Sequence, residues 1–214
     1  MSEVSSSDAL TCWPATAKRW SDLATLFGEQ GACGGCWCMW WRKSRSHFGH
    51  DKGTVNRDDL HRLVRGDQPP GLLGYLNQEP VAWVALAPRS TYPVAARSRI
   101  MSLPPDIPNQ EPHSETDIWL ISCLFVRRDQ RRRGIATTML KHAVAHATTS
   151  GAWALDGVPV EPKSTHVPDA FAWTGLPACF QAAGFVEIAR PGQHRPLLRY
   201  QIGVANPVTR NDRN

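Results

Sequence analysis

The chain has 214 residues, 42% of them hydrophobic and 20% charged, an ordinary balance for a globular protein with one well-buried core. Its formal charge is +5, and Arg127–Arg133, with five arginines and one aspartate, carries +4 of it, unlike the spread of basic residues with which a nucleic-acid binder tracks many phosphates. No stretch approaches the roughly 18 apolar residues of a membrane span, the opening "MSEVSSSDAL" is polar, and the six cysteines lack the even spacing of a secreted disulfide scaffold, so a cytoplasmic protein with reduced thiols and no membrane partner is expected.

Residues 1–10 and 204–214 are polar or turn-rich without periodicity and are expected to be flexible, leaving 11–203 as a single domain. "TAKRWSDLATLFGEQG" places Trp20, Leu23, Leu26 and Phe27 on one helical face and stops at glycine. "NRDDLHRLVRGD" reads as a second helix with Asn56 as N-cap, Leu60, Leu63 and Val64 on its apolar side, and Gly66 at its end. "GLLGYLNQEPVAWVALAP" offers two β-rich runs about Asn77–Pro80, a hairpin pattern.

Ser102–Glu115 reads as a long surface loop, and "DIWLISCLFV" after it as a central strand, apolar throughout. From Ile135 onwards, Met139, Leu140, Ala143, Val144 and Ala147 recur at helical spacing until Gly151, while His142 and His146 fall on the face expected to be solvated. "AWALDGVPV" is a short strand, "GLPACFQAAGF" a helix opened by Pro177 and closed before Gly184, and "FVEIAR" with "LLRYQI" a terminal hairpin. That order predicts an α/β (α+β) domain with a mixed sheet.

Five arginines immediately before a glycine and a helix ask for an anion. The first amides of a helix have no intrahelical partner and its dipole adds positive potential, so the segment is built to hold phosphate. Glycine at 134 and alanine at 136 let a phosphate approach the backbone.

Arg131, Gly134 and Ala136 fit R-x-x-G-x-A after the strand "LFV", and this resembles the acetyl-CoA motif of the GNAT superfamily of N-acetyltransferases. The order of helices and strands and the closing "AAGF" are similar to that family too. The resemblance implies a GNAT-like mixed sheet flanked by helices with splayed central strands, and acetyl-CoA as cosubstrate. It implies that the strand end Leu124, Phe125 and Val126 pairs with the pantetheine arm, through backbone groups around Leu124 and Val126. Amides from Arg131 through Arg132, Arg133, Gly134, Ile135 and Ala136 to Thr137 would hold the pyrophosphate, with neighbouring arginines including Arg127 on the remaining phosphate. The implied activity is transfer of acetyl to a primary amine, more naturally a small molecule than a protein; a non-catalytic acyl-CoA-binding protein and an enzyme for protein or tRNA-linked amines are the alternatives. Oligomeric state, monomer or homodimer, is open.

"GACGGCWCMWWR", between the first two helices, corresponds to a connection that borders the acceptor pocket in that fold. Trp37, Met39, Trp40 and Trp41, with Trp173 from "AFAWTG", are the substrate-binding candidates, through apolar burial or cation-π contact; filling core beneath a loop is the competing role. Cys33, Cys36 and Cys38, followed by His47 and His50, are zinc-ligand types, but C-x-x-C-x-C is tight for one tetrahedral ion and no second pair follows, so metal-free thiols are expected.

Acetyl transfer needs a free amine, a polarised carbonyl and a proton for the departing thiolate. Family members often use a tyrosine for the last task, four residues before the glycine of a G-F pair, and here that position is Phe180. Cys179, water or the product ammonium take its place. Where some relatives carry a glutamate base the chain has Leu120 or Ile121, leaving Glu115, Asp117, Asp156 and Glu161 as carboxylates. Asp156, ending "AWALD" beside the expected splay, is the first candidate for the base, with Asp117 or Glu115 behind it; starting the Asp-Gly turn is its competing role.

Overall fold

The apolar run that begins at Ile118 is a strand in the middle of a seven-stranded sheet, as continuous hydrophobicity requires of a strand covered on both faces. A computed structural model of the protein describes residues 9–101, 116–162 and 172–203. Its strands are β1 (Thr11–Pro14), β2 (Gly71–Leu76), β3 (Glu79–Pro88), β4 (Ile118–Val126), β5 (Ala154–Gly157), β6 (Val186–Gly192) and β7 (Arg195–Gln201). The helices are α1 (Trp20–Phe27), α2 (Arg45–His50), α3 (Thr54–Val64), α4 (Pro93–Ala96), α5 (Ile135–Thr149) and α6 (Pro177–Ala182). The sheet order is β1-β2-β3-β4-β5-β7-β6, with β4 and β5 parallel and the other neighbours antiparallel, which is the mixed sheet flanked by helices that the element order predicts.

One face of the sheet buries Val84, Ile121 and Leu198 against Met139, Leu140 and Phe180 of α5 and α6. The other buries Trp83, Leu73 and Cys123 against Leu23 and Phe27 of α1 and Leu60 of α3. The β2–β3 turn puts Asn77 and Gln78 at φ 48° and 67°, the left-handed pair whose twist suits a two-residue hairpin.

Several local expectations change. β1 was not legible, being four residues long and ending in proline; it pairs with β2 at the sheet edge, and Leu10 just before it packs on the core instead of fraying. Asn56 lies inside α3, not at its cap: Gly53 precedes the helix, and the buried Asn56 side chain donates to the Gly35 carbonyl. His142 and His146 are half-buried, His146 resting edge-on against Trp119. The expected loop at 102–115, and residues 1–8 and 204–214 of the expected flexible ends, lie outside the described residues.

The sheet opens in its middle. The β4–β5 ladder stops where Ile121 meets Gly157, yet β4 runs on to Val126. On the other side the register passes from Cys123↔Ala85 to Ile121↔Leu86, so Ser122 is the extra residue of a β-bulge at the point where the strands part.

Candidate active site

Beyond that point the free edge of β4 borders a cavity of about 1190 Å³, lined by Ser122, Cys123, Leu124, Phe125 and Val126. Arg127 N–H turns back to the Val81 carbonyl, so the alternate residues Ser122, Leu124 and Val126 present their backbone groups to the cavity edge. Two of those groups are engaged: Leu124 N–H donates to the Trp173 carbonyl at 2.7 Å, and Val126 O accepts from Arg131 Nε at 2.9 Å.

Arg131, Arg132, Gly134, Ile135, Ala136 and Thr137 all line this cavity, joined by Arg128, another of the five arginines, and by Gln130, which the sequence did not single out. Arg132 and Gly134 sit at φ 60° and 76°, and these two left-handed residues curl the loop into the start of the 15-residue helix α5. A Cβ on Gly134 would meet nothing within 4 Å, so the space above the helix start is open. Two of the neighbouring guanidinium groups are engaged elsewhere. Arg127 is bound by Asp129 at 2.8 Å and Glu79 at 3.2 Å, and the Arg133 guanidinium by Gln130; neither side chain lines the large cavity, while the Arg133 amide stays within the curled loop.

The aromatic lining comes from the cysteine- and tryptophan-rich connection. Trp40, Trp41 and Trp173 are interlocked, with Trp173 6.3 Å from each of the other two rings, and Phe48 stands edge-on to Trp40 at 5.0 Å. Phe48 and Lys52 were not anticipated; their contribution depends on α2, six residues too short to show a periodicity. Trp37 and Met39 are corrections. Both are 2% exposed and do not line the cavity, Trp37 being packed among Trp20 and Phe27, so these two fill core.

Cys33, Cys36, Cys38 and Cys123 also line the cavity. Burial pushes the Cys36 thiol up to about 12, and hydrogen bonding with Cys38 together with burial pushes Cys123 well up, so both are protonated and apolar in character at neutral pH. Among the described residues no three His, Cys, Asp or Glu side chains are grouped as a metal ion would need. His47 is hydrogen-bonded to Ser44 and His50 to Asp51.

Of the three side chains expected in catalysis, only Cys179 lines the cavity. Asp156 is 1% exposed, and its carboxylate accepts two hydrogen bonds from Arg199, at 2.7 and 2.9 Å, with Arg89 at 3.8 Å. Both carboxylate oxygens are taken up by Arg199 inside the sheet and the side chain does not line the cavity, so the expectation of a base there is corrected to a buried ion pair across β5 and β7. Asp117 precedes β4 by one residue, five before Ser122, and at about 3.3 Å per residue it lies roughly 16 Å from the edge that borders the cavity. Glu161 is bound to Arg190 at 2.6 Å, which holds its carboxyl below the usual range, and Glu115, like the Phe171 of "AFAWTG" expected with Trp173 beside the acceptor site, lies outside the described residues. Phe180 is fully buried against Phe185, its ring filling the space that a side chain on Gly157 or Gly175 would need, so it serves packing at the position where a tyrosine was sought.

A model of the acetyltransferase (GNAT) family matches residues 36–166, which include the splayed strand, the arginine-glycine loop and α5. The chain belongs to the GNAT acetyltransferase family. Its fold is similar to an acetyltransferase from Thermus thermophilus (20% identity, TM-score 0.51, 91% of this chain and 97% of that one). It is also similar to the PaiA N-acetyltransferase from Thermoplasma acidophilum in complex with coenzyme A (8% identity, TM-score 0.51, 90% and 99%) and to the GNAT domain of S. lividans PAT (15%, 0.50, 94% and 100%). No curated protein matches the sequence.

Acetyl-CoA is the cosubstrate of this GNAT acetyltransferase, and the cavity suits it on three counts. The curled loop offers helix-start amides beside an open space, Arg128, Arg131 and Arg132 supply positive charge there, and the free strand edge offers backbone groups to an extended arm. No helix among the described residues is long and apolar enough to cross a membrane.

Proposed function

We propose that this acetyltransferase acts on nitrogen, transferring acetyl to a primary amine carried by a small, neutral or anionic molecule with an aromatic or apolar body, in the cytoplasm. The observation that carries this reading is that one cavity is lined both by the arginine-glycine loop and by Trp40, Trp41, Trp173 and Phe48. Bound acetyl-CoA supplies an activated thioester carbonyl. Amides from Arg131 to Thr137 and the guanidinium groups of Arg131 and Arg132 hold phosphate, while Leu124, Phe125 and Val126 position the arm.

The aromatic rings exclude water and stack on the acceptor, and their faces tolerate its amine. Cys179 brings its thiol to the cavity wall as the candidate donor to the departing thiolate. Lys52, Arg128, Arg131 and Arg132 make the described lining cationic, which favours an acceptor with no further positive charge and disfavours a polycation.

A panel of amines assayed by coenzyme A thiol release tests this reading. Aromatic monoamines such as tryptamine and aromatic amino acids should be turned over with a kcat/KM at least tenfold above that for spermidine or an aminoglycoside. Preference for the polycations would overturn the acceptor class, and thiol release with none of them, acetyl-CoA binding being intact, would favour a binding protein over an enzyme.

A further inference from the structure

Ser122 is the one hydroxyl in the apolar run of β4, and the fold places it at an unusual point. It is the bulged residue opposite Ala85 and Leu86, it is the first residue of β4 beyond the β5 ladder, and it lines the cavity although it is only 2% exposed. A bulge re-aims the side chain it carries, here away from the regular alternation of the strand. The neighbouring backbone donor on the same edge, Leu124 N–H, is engaged by the Trp173 carbonyl.

The hydroxyl is backed by a buried phenol. Ser122 Oγ donates to Tyr92 Oη at 3.2 Å, Tyr92 is fully buried, and the Arg42 guanidinium lies 4.3 Å from its ring centroid while donating to the Thr91 carbonyl. Burial pushes the Tyr92 phenol above its ordinary range, so it keeps its proton at neutral pH. Both hydroxyls rotate. When Tyr92 O–H turns to donate to Ser122 Oγ, the Ser122 O–H is free to point toward the cavity, and a chain of two hydrogen bonds polarises that donor.

We propose that Ser122 is a catalytic residue of this acetyltransferase, donating a hydrogen bond to the carbonyl oxygen of the acetyl group as negative charge develops on it, with Tyr92 as its positioning residue. No bond to Ser122 forms and no proton leaves it; the donor is preset in a water-poor wedge, where such a contact counts most. The role is independent of which amine is the acceptor.

Isotope-edited infrared spectroscopy of acetyl-CoA labelled with ¹³C at the carbonyl, bound without any amine, tests it on the full chain. The bound carbonyl band should lie below its free position in the wild type, and Ser122→Ala should return it toward the free value while the affinity for acetyl-CoA stays within about twofold. With an accepted amine, Ser122→Ala should lower kcat by about 10²- to 10³-fold, as removal of one such donor does. Tyr92→Phe, which preserves the packed ring, should give a smaller shift of the band and a smaller loss of kcat. An identical carbonyl band in wild type and Ser122→Ala overturns the proposal, and so does a band restored by neither variant. Should Ser122→Ala fail to fold, Tyr92→Phe and Ser122→Cys decide the same question, with an unchanged band in both counting against it.

Discussion

Asp156→Asn should lower the thermal midpoint by about 6–20 °C, because breaking a buried ion pair costs about 3–5 kcal/mol and each kcal/mol is worth about 2–4 °C in a chain of this size. The substitution leaves Arg199 buried with its positive charge uncompensated, and weakens the longer contact from Arg89. At a temperature where the variant is folded, acetyl-CoA binding should persist and kcat should fall by less than about tenfold, well short of the 10²- to 10⁴-fold expected on losing a general base. Thermal melts and steady-state kinetics on the same preparation separate the two roles: a stable variant with a collapsed kcat would restore Asp156 to the chemistry.

Gly134→Trp should abolish the stabilisation of the protein by acetyl-CoA. At 100 times the dissociation constant that stabilisation is about 2.7 kcal/mol, or about 5–11 °C by the same conversion. The indole would fill the open space above the start of α5, and its backbone at φ 76° would be strained besides, at about 1–2 kcal/mol for a residue with a Cβ. Gly134→Ala supplies the control: it carries the same backbone penalty with far less volume, so it should retain part of the shift. A full shift in the tryptophan variant would remove the loop from the phosphate site.

What the sequence made legible was local. Arg131, Gly134 and Ala136 lie within six residues, so strand end, curl and helix start follow from the chain itself, and α5 shows its buried face over 15 residues. What stayed hidden depended on distant partners. Nothing near Asp156 announces Arg199, 43 positions later, and without that partner a carboxylate at the splay resembles a base. Arg127 and Arg133 looked equivalent to Arg131 until Glu79 and Gln130 were placed beside two of them.

The tryptophans divide for the same reason. Trp37 and Trp40 are three apart in one irregular connection with several positive-φ residues, where no periodicity says which ring enters the core and which the cavity. Ser122 did leave a trace, a lone hydroxyl in "LISCLFV", but the bulge that aims it arises from pairing with β3 and cannot be read from β4.

The most direct measurement is to supply acetyl-CoA bearing a deuterated acetyl group together with a panel of aromatic primary amines, and to follow the label by mass spectrometry alongside the free thiol. The label should arrive on the amine nitrogen of at least one acceptor, one amide for each thiol released, and Gly134→Trp should form none. Label that stays on coenzyme A with every amine, or is released only as acetate while the amines remain unmodified, would contradict the assignment of this chain as an N-acetyltransferase.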